Sequence, residues 1–230
     1  FILSSILTIE DSLKKELNDN AKALLGGDLE IDYNRTQGNL ELVEKVKDIA
    51  KVSQMVEFST MISTLDRPNN QSLFTRIKTI DEKYPLYGTV TYEPEGAFDR
   101  IHKEKNTILV NENIFKTLKL KVDEKIKVQD QVFIIAGMVK TVPDVSGFVA
   151  FGDFALTGKQ TLDLIKLNIG SFLNYEYKVR FNEGADTATL RKEISDIFKD
   201  DQKVILRYPE NSASGLKRII NNFSQFLSLV

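Results

Sequence analysis

The segment Gly152 to Thr161 is the one stretch whose residue types suggest phosphate chemistry. It reads Gly-Asp-Phe-Ala-Leu-Thr-Gly-Lys-Gln-Thr, and a glycine-rich loop that ends in lysine can cradle a phosphate group. The spacing does not fit, because five residues rather than four separate Gly152 from Gly158, and Gln160 stands where a Mg²⁺-binding Ser or Thr should follow the lysine. We interpret the segment as a loop and a helix cap, and we predict no cofactor.

His102 is the only histidine, and it lies in the charged run Arg100 to Lys105. Such a run is typical of a solvated surface segment, and a lone histidine beside cations is a poor metal ligand. Cysteine is absent, which removes thiolate metal sites and a cysteine nucleophile. The Gly-x-Ser-x-Gly motif of a serine hydrolase is also absent. We therefore predict no catalytic residue, no metal ligand and no enzymatic activity.

Acidic residues are numerous, but none lies in an apolar sequence setting that would shift its pKa. We interpret them as solvated faces. Asp196, Asp200 and Asp201 form an acidic patch at the end of a predicted helix, and no function is assigned to them. The 31 basic and 33 acidic residues are interspersed and give a net charge of -2, so the sequence does not predict a nucleic-acid partner.

Two β-α-β units, one near each end, form the predicted framework. The first has a strand over Leu29–Tyr33 after a helix that Gly26-Gly27 ends, a helix capped by Asn39, and a strand over Gln54–Leu65. The second has a strand over Tyr175–Phe181, a helix from about Asp186 and a strand over Lys203–Tyr208. These units predict the α+β class, with a split β-α-β domain of ferredoxin-like type.

A mostly β insertion is predicted between the two units. Its strands cover Thr107–Val110, Lys125–Gln129, Val132–Lys140 and Phe148–Phe151, with helical segments at Asn113–Leu118 and Leu162–Leu167. Gln129-Asp130 is the predicted hairpin tip, and Thr141–Gly147 is a predicted turn.

The stretch Leu73–Val90 is the predicted exit from the first unit into this insertion. It contains a strand, a turn at Tyr84-Pro85 and then Gly88. We predict a crossover formed by Tyr84, Pro85, Tyr87 and Gly88, whose two tyrosines pack the domains together.

Apolar residues recur at helical spacing toward both ends of the chain, and Leu13, Leu17, Leu216, Ile220 and Phe223 are the predicted packing positions. Neither run reaches the ~20 apolar residues that a membrane span needs. Two interpretations remain open: each run is the outer end of a transmembrane helix, or each is an amphipathic helix packed on the core.

Several motifs resemble the extracytoplasmic domain of MacB-like, FtsX-family permeases of ABC transporters, closest to the large YbbP-type permease associated with lysophospholipase. The matching stretches are Leu24–Leu29, Phe58–Met61, Ile77–Gly88, Thr157-Gly158 and Gly170-Ser171, in the same order as in the family. Asp123-Glu124 and Tyr87 depart from the family pattern. The resemblance covers nearly the whole chain and transfers no active site.

The resemblance implies a porter-like domain with an inserted Sabre-type domain on two stalk helices that continue into membrane spans one and two. The expected division is a stalk helix at 1–25, the porter-like halves at 26–80 and 173–210, the insertion at 81–172 and the second stalk at 211–230. This arrangement favours truncated membrane helices over amphipathic ones.

The resemblance also implies a function. We expect a periplasmic segment of an inner-membrane permease that couples cytoplasmic ATP hydrolysis to extracytoplasmic movement, called mechanotransmission, for a hydrophobic or lipid-type substrate. Expected partners are a cytoplasmic ABC ATPase, a second copy of the domain and a periplasmic protein. The alternatives are a soluble periplasmic interaction module and an enzyme acting on envelope lipids.

Overall fold

The computed structural model describes residues 21–144, 152–164 and 173–212, and every statement about structure below concerns these residues. Residues 21–25 are helical. The strands are β1 (Leu29–Asn34), β2 (Lys51–Thr64), β3 (Ser72–Ile80), β4 (Thr91–Glu93), β5 (Thr107–Asn111), β6 (Lys125–Val128), β7 (Gln131–Thr141), β8 (Phe154–Gly158), β9 (Asn174–Arg180) and β10 (Val204–Arg207). The helices are α1 (Leu40–Ile49), α2 (Ala97–Lys103), α3 (Glu112–Thr117), α4 (Thr187–Ile197) and α5 (Pro209–Ser212).

One sheet contains all ten strands of this described part, in the order β10-β1-β9-β2-β3-β8-β5-β7-β4, with β6 paired to both β2 and β7. The first four strands in that order are antiparallel neighbours. They come from the two β-α-β units, β1-α1-β2 and β9-α4-β10. The structure therefore confirms the mixed α+β class and the presence of both predicted units.

Helices α1 and α4 cover one face of these four strands. Their apolar residues, including Val43, Val46, Ile194 and Phe198, pack against Leu29, Ile31, Tyr33, Val52, Tyr177 and Val179 of the strands. Helix spacing puts every third or fourth residue on one side, and strand spacing puts every second residue there, so the two patterns meet in one apolar layer. We call this layer the apolar face.

The insertion completes a closed ring of six strands. Strands β2, β3, β8, β5, β7 and β6 pair in that order, and β6 returns to β2. The ring encloses a second apolar cluster that includes Phe58, Ile77, Ile108, Ile126 and Phe133. Strand β2 thus belongs to both the first unit and the ring, and β3, which follows it, joins the ring.

A third apolar cluster lies outside the ring, under α2. Ala97 and Ile101 of α2 pack there with Met55, Ile80, Leu109, Ala136 and Leu156, and Tyr84 belongs to the same cluster.

Short-range signals in the sequence are confirmed at several element ends. The Asn39 side chain accepts from the backbone N–H groups of Glu41 and Leu42, and Asp186 caps α4 in the same way. Gly26 has φ +82°, and the N–H groups of Gly26 and Gly27 both donate to the carbonyl oxygen of Lys22, which ends the helix over 21–25. Gln129 and Asp130 join β6 to β7, because Val128 pairs with Gln131.

Two interpretations of the sequence are wrong. The segment Gly152–Thr161, read as a loop and a helix cap, forms β8 and a 3-10 turn over Lys159–Thr161, because β3 and β5 pair with it on both sides. The run Arg100–Lys105, read as a solvated segment, begins in α2, where Ile101 is fully buried. Both errors come from pairing and packing partners that are remote in the sequence.

Several predicted elements lie outside the described residues. These are the strand over Phe148–Phe151, the end of the Thr141–Gly147 turn, the end of the helical segment at Leu162–Leu167, and the stalk positions Leu13, Leu17, Leu216, Ile220 and Phe223.

Candidate functional site

The side of the first unit opposite α1 and α4 carries charged residues. They alternate along β1, β2, β9 and β10 with the residues of the apolar face and along β3 with Ile77 of the ring cluster, so strand geometry places them on the other side of the sheet. We call the following set, together with the loop residue Asp144, the charged face: Glu30, Asp32, Glu57, Arg76, Lys78, Glu176, Lys178 and Arg207. Glu30, Asp32, Lys78, Asp144 and Lys178 are buried. The prediction that the acidic residues form solvated faces is therefore wrong for this part of the sheet.

Two buried lysines organise the inner half of the charged face. Lys78 Nζ lies 3.0 Å from Asp144 Oδ2, and the hydroxyl of Tyr84 donates to the other oxygen of Asp144. Lys178 Nζ donates to Glu30 and lies 3.1 Å from Glu176 Oε2. Glu57 also lies 3.9 Å from Lys78. Each of the two lysines therefore has two acidic neighbours.

The outer half is closer to solvent and is paired by arginines. Arg207 Nη2 lies 2.6 Å from Asp32 Oδ2, and Arg207 Nη1 lies 3.8 Å from Glu30 Oε1. Arg76 Nε lies 3.4 Å from Glu57 Oε1. The charged face as defined contains five carboxylates and four cations, so it carries one excess negative charge when all groups are ionised.

Burial and ion pairing act against each other on these groups. Burial alone would raise the pKa of Asp144, but the ammonium groups of Lys78 and Lys178 hold it below its usual value. The same competition lowers the pKa of Glu176. Burial raises the pKa of Glu30 and Glu57. Burial also raises the pKa of Asp32, although the guanidinium of Arg207 and, to a smaller extent, the amide of Asn174 offset part of that rise.

The predicted crossover lies at the inner end of the charged face. The Tyr87 hydroxyl donates to Asp28 Oδ2 at 2.7 Å, and the guanidinium of Arg180 lies 4.8 Å from the centre of the Tyr87 ring. Arg180 Nη1 also donates to the carbonyl oxygen of Leu86 at 2.9 Å. Tyr87 therefore contacts the start of β1 and the end of β9.

Tyr84 contacts a different part of the molecule. Its ring packs in the cluster under α2, and its hydroxyl bonds to Asp144, which follows β7. Pro85 lies between the two tyrosines after a cis peptide bond. Gly88 has φ +74°, and a Cβ there would lie 2.4 Å from the Cβ of Pro143, so a larger residue does not fit without movement. The four residues lie together, and their role in orienting two domains stays a prediction.

Asp28 is a buried residue that joins three segments, and sequence reasoning assigned it no role. Lys22, in the helix over 21–25, has its Nζ 2.6 Å from Asp28 Oδ1. The backbone N–H of Phe181 donates to Asp28 Oδ2 at 2.8 Å, beside the bond from Tyr87. Asp28 lies in the Leu24–Leu29 motif, but its contacts with Tyr87 and Phe181, like those of Asp144, join positions about 60 or more apart, so no local pattern predicts these contacts.

Other residues considered for chemistry have structural roles. Gly158 closely approaches the carbonyl oxygen of Ile101, and Gln160 Nε2 donates to that oxygen at 2.6 Å. The half-buried ring of His102 packs edge-on against Phe98, 5.0 Å between centres, and burial lowers its pKa. Asp201 of the acidic patch accepts from the Tyr33 hydroxyl. Among the described residues no group of three His, Cys, Asp or Glu side chains is placed to hold a metal ion.

The fold is similar to that of a solved periplasmic region. The periplasmic region of MacB from Actinobacillus actinomycetemcomitans superposes with a TM-score of 0.56 at 13% identity, covering 87% of this chain and 96% of that one. At this identity the likeness concerns the fold alone. The extracellular domain of the noncanonic ABC-type transporter YknZ from Gram-positive bacteria scores 0.48 at 11% identity, covering 78% of this chain and 98% of that one; this weaker likeness adds nothing to the assignment.

The sequence itself is similar to an uncharacterized ABC transporter permease, YbbP, of Escherichia coli strain K12. The two are 28% identical over 178 residues, which is 76% of this chain and 21% of the permease. The chain thus spans about a fifth of the length of that relative. No family model matches the chain. The chain is thus similar in sequence to part of an ABC transporter permease and in fold to the periplasmic region of MacB, in agreement with the resemblance seen in the motifs.

The curated relative is an ABC transporter permease by name. None of the helices in the described ranges is long and apolar enough to cross a membrane.

Proposed function

We propose that this chain is the extracytoplasmic part of an inner-membrane ABC permease and that it moves in response to cytoplasmic ATP hydrolysis. The observation that carries the proposal is the 178-residue similarity to a permease in a chain with the MacB periplasmic fold. A cytoplasmic ATPase and a second copy of the domain are the proposed partners. A hydrophobic or lipid-type substrate and a periplasmic partner protein belong to the same proposal and rest on the family resemblance.

The contacts around Asp28 support a coupling role. The helical residues 21–25 lead directly into β1, and Lys22 among them is paired to Asp28. Asp28 in turn binds Tyr87 of the crossover and the backbone at the end of β9. A displacement of the helix would therefore pull on both β-α-β units and on the crossover, because charged hydrogen bonds resist separation more than neutral ones.

We propose that the chain is divided into the two domains that the family resemblance implies. The porter-like domain comprises 26–80 and 173–210, and the Sabre-type insertion comprises 81–172. Strands β2 and β3 complete the ring of the insertion, so they would transmit movement between the two domains. Tyr84 and Tyr87, which bind Asp144 and Asp28 respectively, would fix the relative orientation of the domains.

The test uses the complete permease that contains this chain, reconstituted with its ATPase in lipid nanodiscs. Spin labels replace the exposed Lys116 of α3 and one exposed residue of the second copy of the domain. Trapping the ATPase with ATP and vanadate should shift the distance distribution between the labels. The Asp28→Asn variant should hydrolyse ATP but show a smaller shift, and Lys192→Gln on the exposed side of α4 should behave as the unchanged protein.

Two results would contradict the proposal. The first is that no ATPase co-purifies with the permease, which would favour the interaction module without a transport role. The second is a distance distribution that stays the same through the ATPase cycle.

A further inference from the structure

Two apolar side chains are exposed on the outside of the ring, where β2 pairs with β3. Phe74 is 64% exposed and Met61 is 46% exposed, and the register places them directly opposite each other. The residues that alternate with them, including Phe58, Ile62 and Ile77, belong to the apolar cluster inside the ring. We call the outward residues of these two strands the Phe74 strip: Ser59, Met61, Ser63, Ser72 and Phe74.

The composition of the Phe74 strip suits a surface that another protein covers. The strip carries no charge, and protein–protein contacts favour aromatic residues and methionine while their centres are depleted of charge. The hydroxyls of Ser63 and Ser72 bond to each other at 2.7 Å, so covering these two residues does not leave them without a partner. The exposed side chains of Phe74 and Met61 would be stabilised by leaving water.

The charged residues beside the strip are paired within the chain. Arg76, the next outward residue of β3, lies 3.4 Å from Glu57. Lys127, which pairs with Ser63 in the register, lies 3.9 Å from Asp130. An anionic membrane or a strongly charged protein would therefore meet no excess of opposite charge at this surface. An uncharged apolar surface matches the strip better, and a second copy of this chain provides one.

A two-fold axis makes the strip complementary to itself. An axis that runs between β2 and β3, along the strands, places each strand of one copy over the other strand of the second copy. Phe74 then lies over Met61 of the second copy, and Arg76 lies over Ser59, so these positions bring no like charges together. A thioether beside an aromatic ring is a favourable contact. We propose that two copies of this chain meet face to face through the Phe74 strip.

The size of the strip makes this contact weak. Residues 59–63 of β2 span about 17 Å, and two strands are about 10 Å wide. Each partner in a stable complex buries about 800 Å², which is several times the area of the strip. We therefore expect a dissociation constant of about 1 mM for the free chain. The place of this contact in a transporter rests on the proposed function, in which two copies are held close together, whereas the contact itself is tested on this chain alone.

The first test follows the backbone amide signals of the 230-residue chain by NMR at concentrations from about 0.05 to 2 mM. The signals of the Phe74 strip should shift with concentration as a monomer–dimer equilibrium requires. Phe74→Ser should weaken association at least about tenfold, because the ring no longer leaves water on binding. Leu40→Ser, at an apolar position of α1 that is 43% exposed, is the matched control and should leave association unchanged.

A pair of charged variants tests the orientation of the two copies. Phe74→Lys and Met61→Glu should each weaken self-association, because each covers a charge that has no partner. In an equal mixture of the two variants the new charges face each other across the contact, so association should return. A mixture of Phe74→Lys with the unchanged chain is the control and should associate more weakly than the mixture of the two variants.

A nitroxide label shows where the second copy lies. The sequence contains no cysteine, so Asn69→Cys, at an exposed position in the loop after β2, takes a single label. Labelled copies should broaden the amide signals of Ser63 and Ser72 in the copies that are observed. A label at Lys192→Cys, on the exposed side of α4, should not broaden them.

Three results would overturn the proposal. These are amide signals that do not depend on concentration, a mixture of the two charged variants that does not associate, and equal behaviour of Phe74→Ser and Leu40→Ser. Binding of the chain to lipid vesicles through Phe74 without self-association would also overturn it and would assign the strip to a membrane. Failure here leaves the transport proposal standing, because that proposal is tested by co-purification of the ATPase and by the distance change in its cycle.

Discussion

Strand β1 has an apolar side and a charged side, and both are buried. Leu29, Ile31 and Tyr33 enter the apolar face under α1 and α4, whereas Glu30 and Asp32 enter the charged face. The apolar face is held by contacts that depend on shape and area but on no particular partner. The charged face is held by pairs in which each group needs an opposite charge within a few ångströms.

The difference predicts how each face responds to substitution. An apolar cluster that loses a methyl group loses contacts in proportion to the atoms removed. A buried ion pair that loses one member leaves the other charged and unsolvated, which costs more than the pair had contributed. The charged face should therefore be the less tolerant side, although it is not expected to be the larger source of stability.

The largest effect is expected for Lys178→Met, which keeps a long side chain but removes the buried ammonium group. Glu30 and Glu176 would lose their shared partner, so the free energy of unfolding should fall by about 3–5 kcal/mol. Urea unfolding followed by circular dichroism measures the change. Lys192→Met, on an exposed part of α4, is the matched control and should change stability by less than about 0.5 kcal/mol. Equal effects of the two substitutions would remove the distinction between the faces.

A smaller effect, and a dependence on pH, is expected for Asp144→Asn. The substitution removes the charge that binds Lys78 and accepts from Tyr84, and it should lower stability by about 2 kcal/mol at neutral pH. Because the folded pKa of Asp144 lies below its usual value near 3.8, its stabilisation is present above that value and is lost as pH falls through the folded pKa.

The pH dependence has an opposing contribution from the other carboxyls. Burial raises the folded pKa of Glu30, Asp32 and Glu57, so acidification through those folded values should first relieve an unfavourable charge. Stability of the unchanged protein should thus be greatest in mildly acidic solution and decline at lower pH. In Asp144→Asn the decline at the lowest pH should be shallower. A decline of the same slope in both proteins would show that Asp144 is not its source.

The smallest effect is expected for Ile31→Val on the apolar face. Ile31 is fully buried, and removing one methylene should cost about 1 kcal/mol with no change in pH dependence. Thermal unfolding at neutral and acidic pH gives both quantities. A loss as large as that for Lys178→Met would mean that the apolar face is packed as specifically as the charged face.

Local signals in the sequence determined the ends and the order of the elements. The cap at Asn39, the glycine stop at Gly26 and the two-residue tip at Gln129 depend only on neighbouring backbone groups, so their residue types were sufficient. The alternation of apolar and polar residues also located β1, β2 and β9, because a strand with two different faces repeats every two residues.

Only the tertiary structure decided which groups the polar residues of these strands contact. The pattern at Glu30, Asp32 and Lys178 is the same whether those residues face water or each other, and their partners lie on other strands. The partner of Lys78 is Asp144, which follows β7. The same reason explains β8, which is a strand because β3 and β5 lie on either side of it. Pairing and burial between distant segments are properties of the folded chain, and periodicity along a single segment does not contain them.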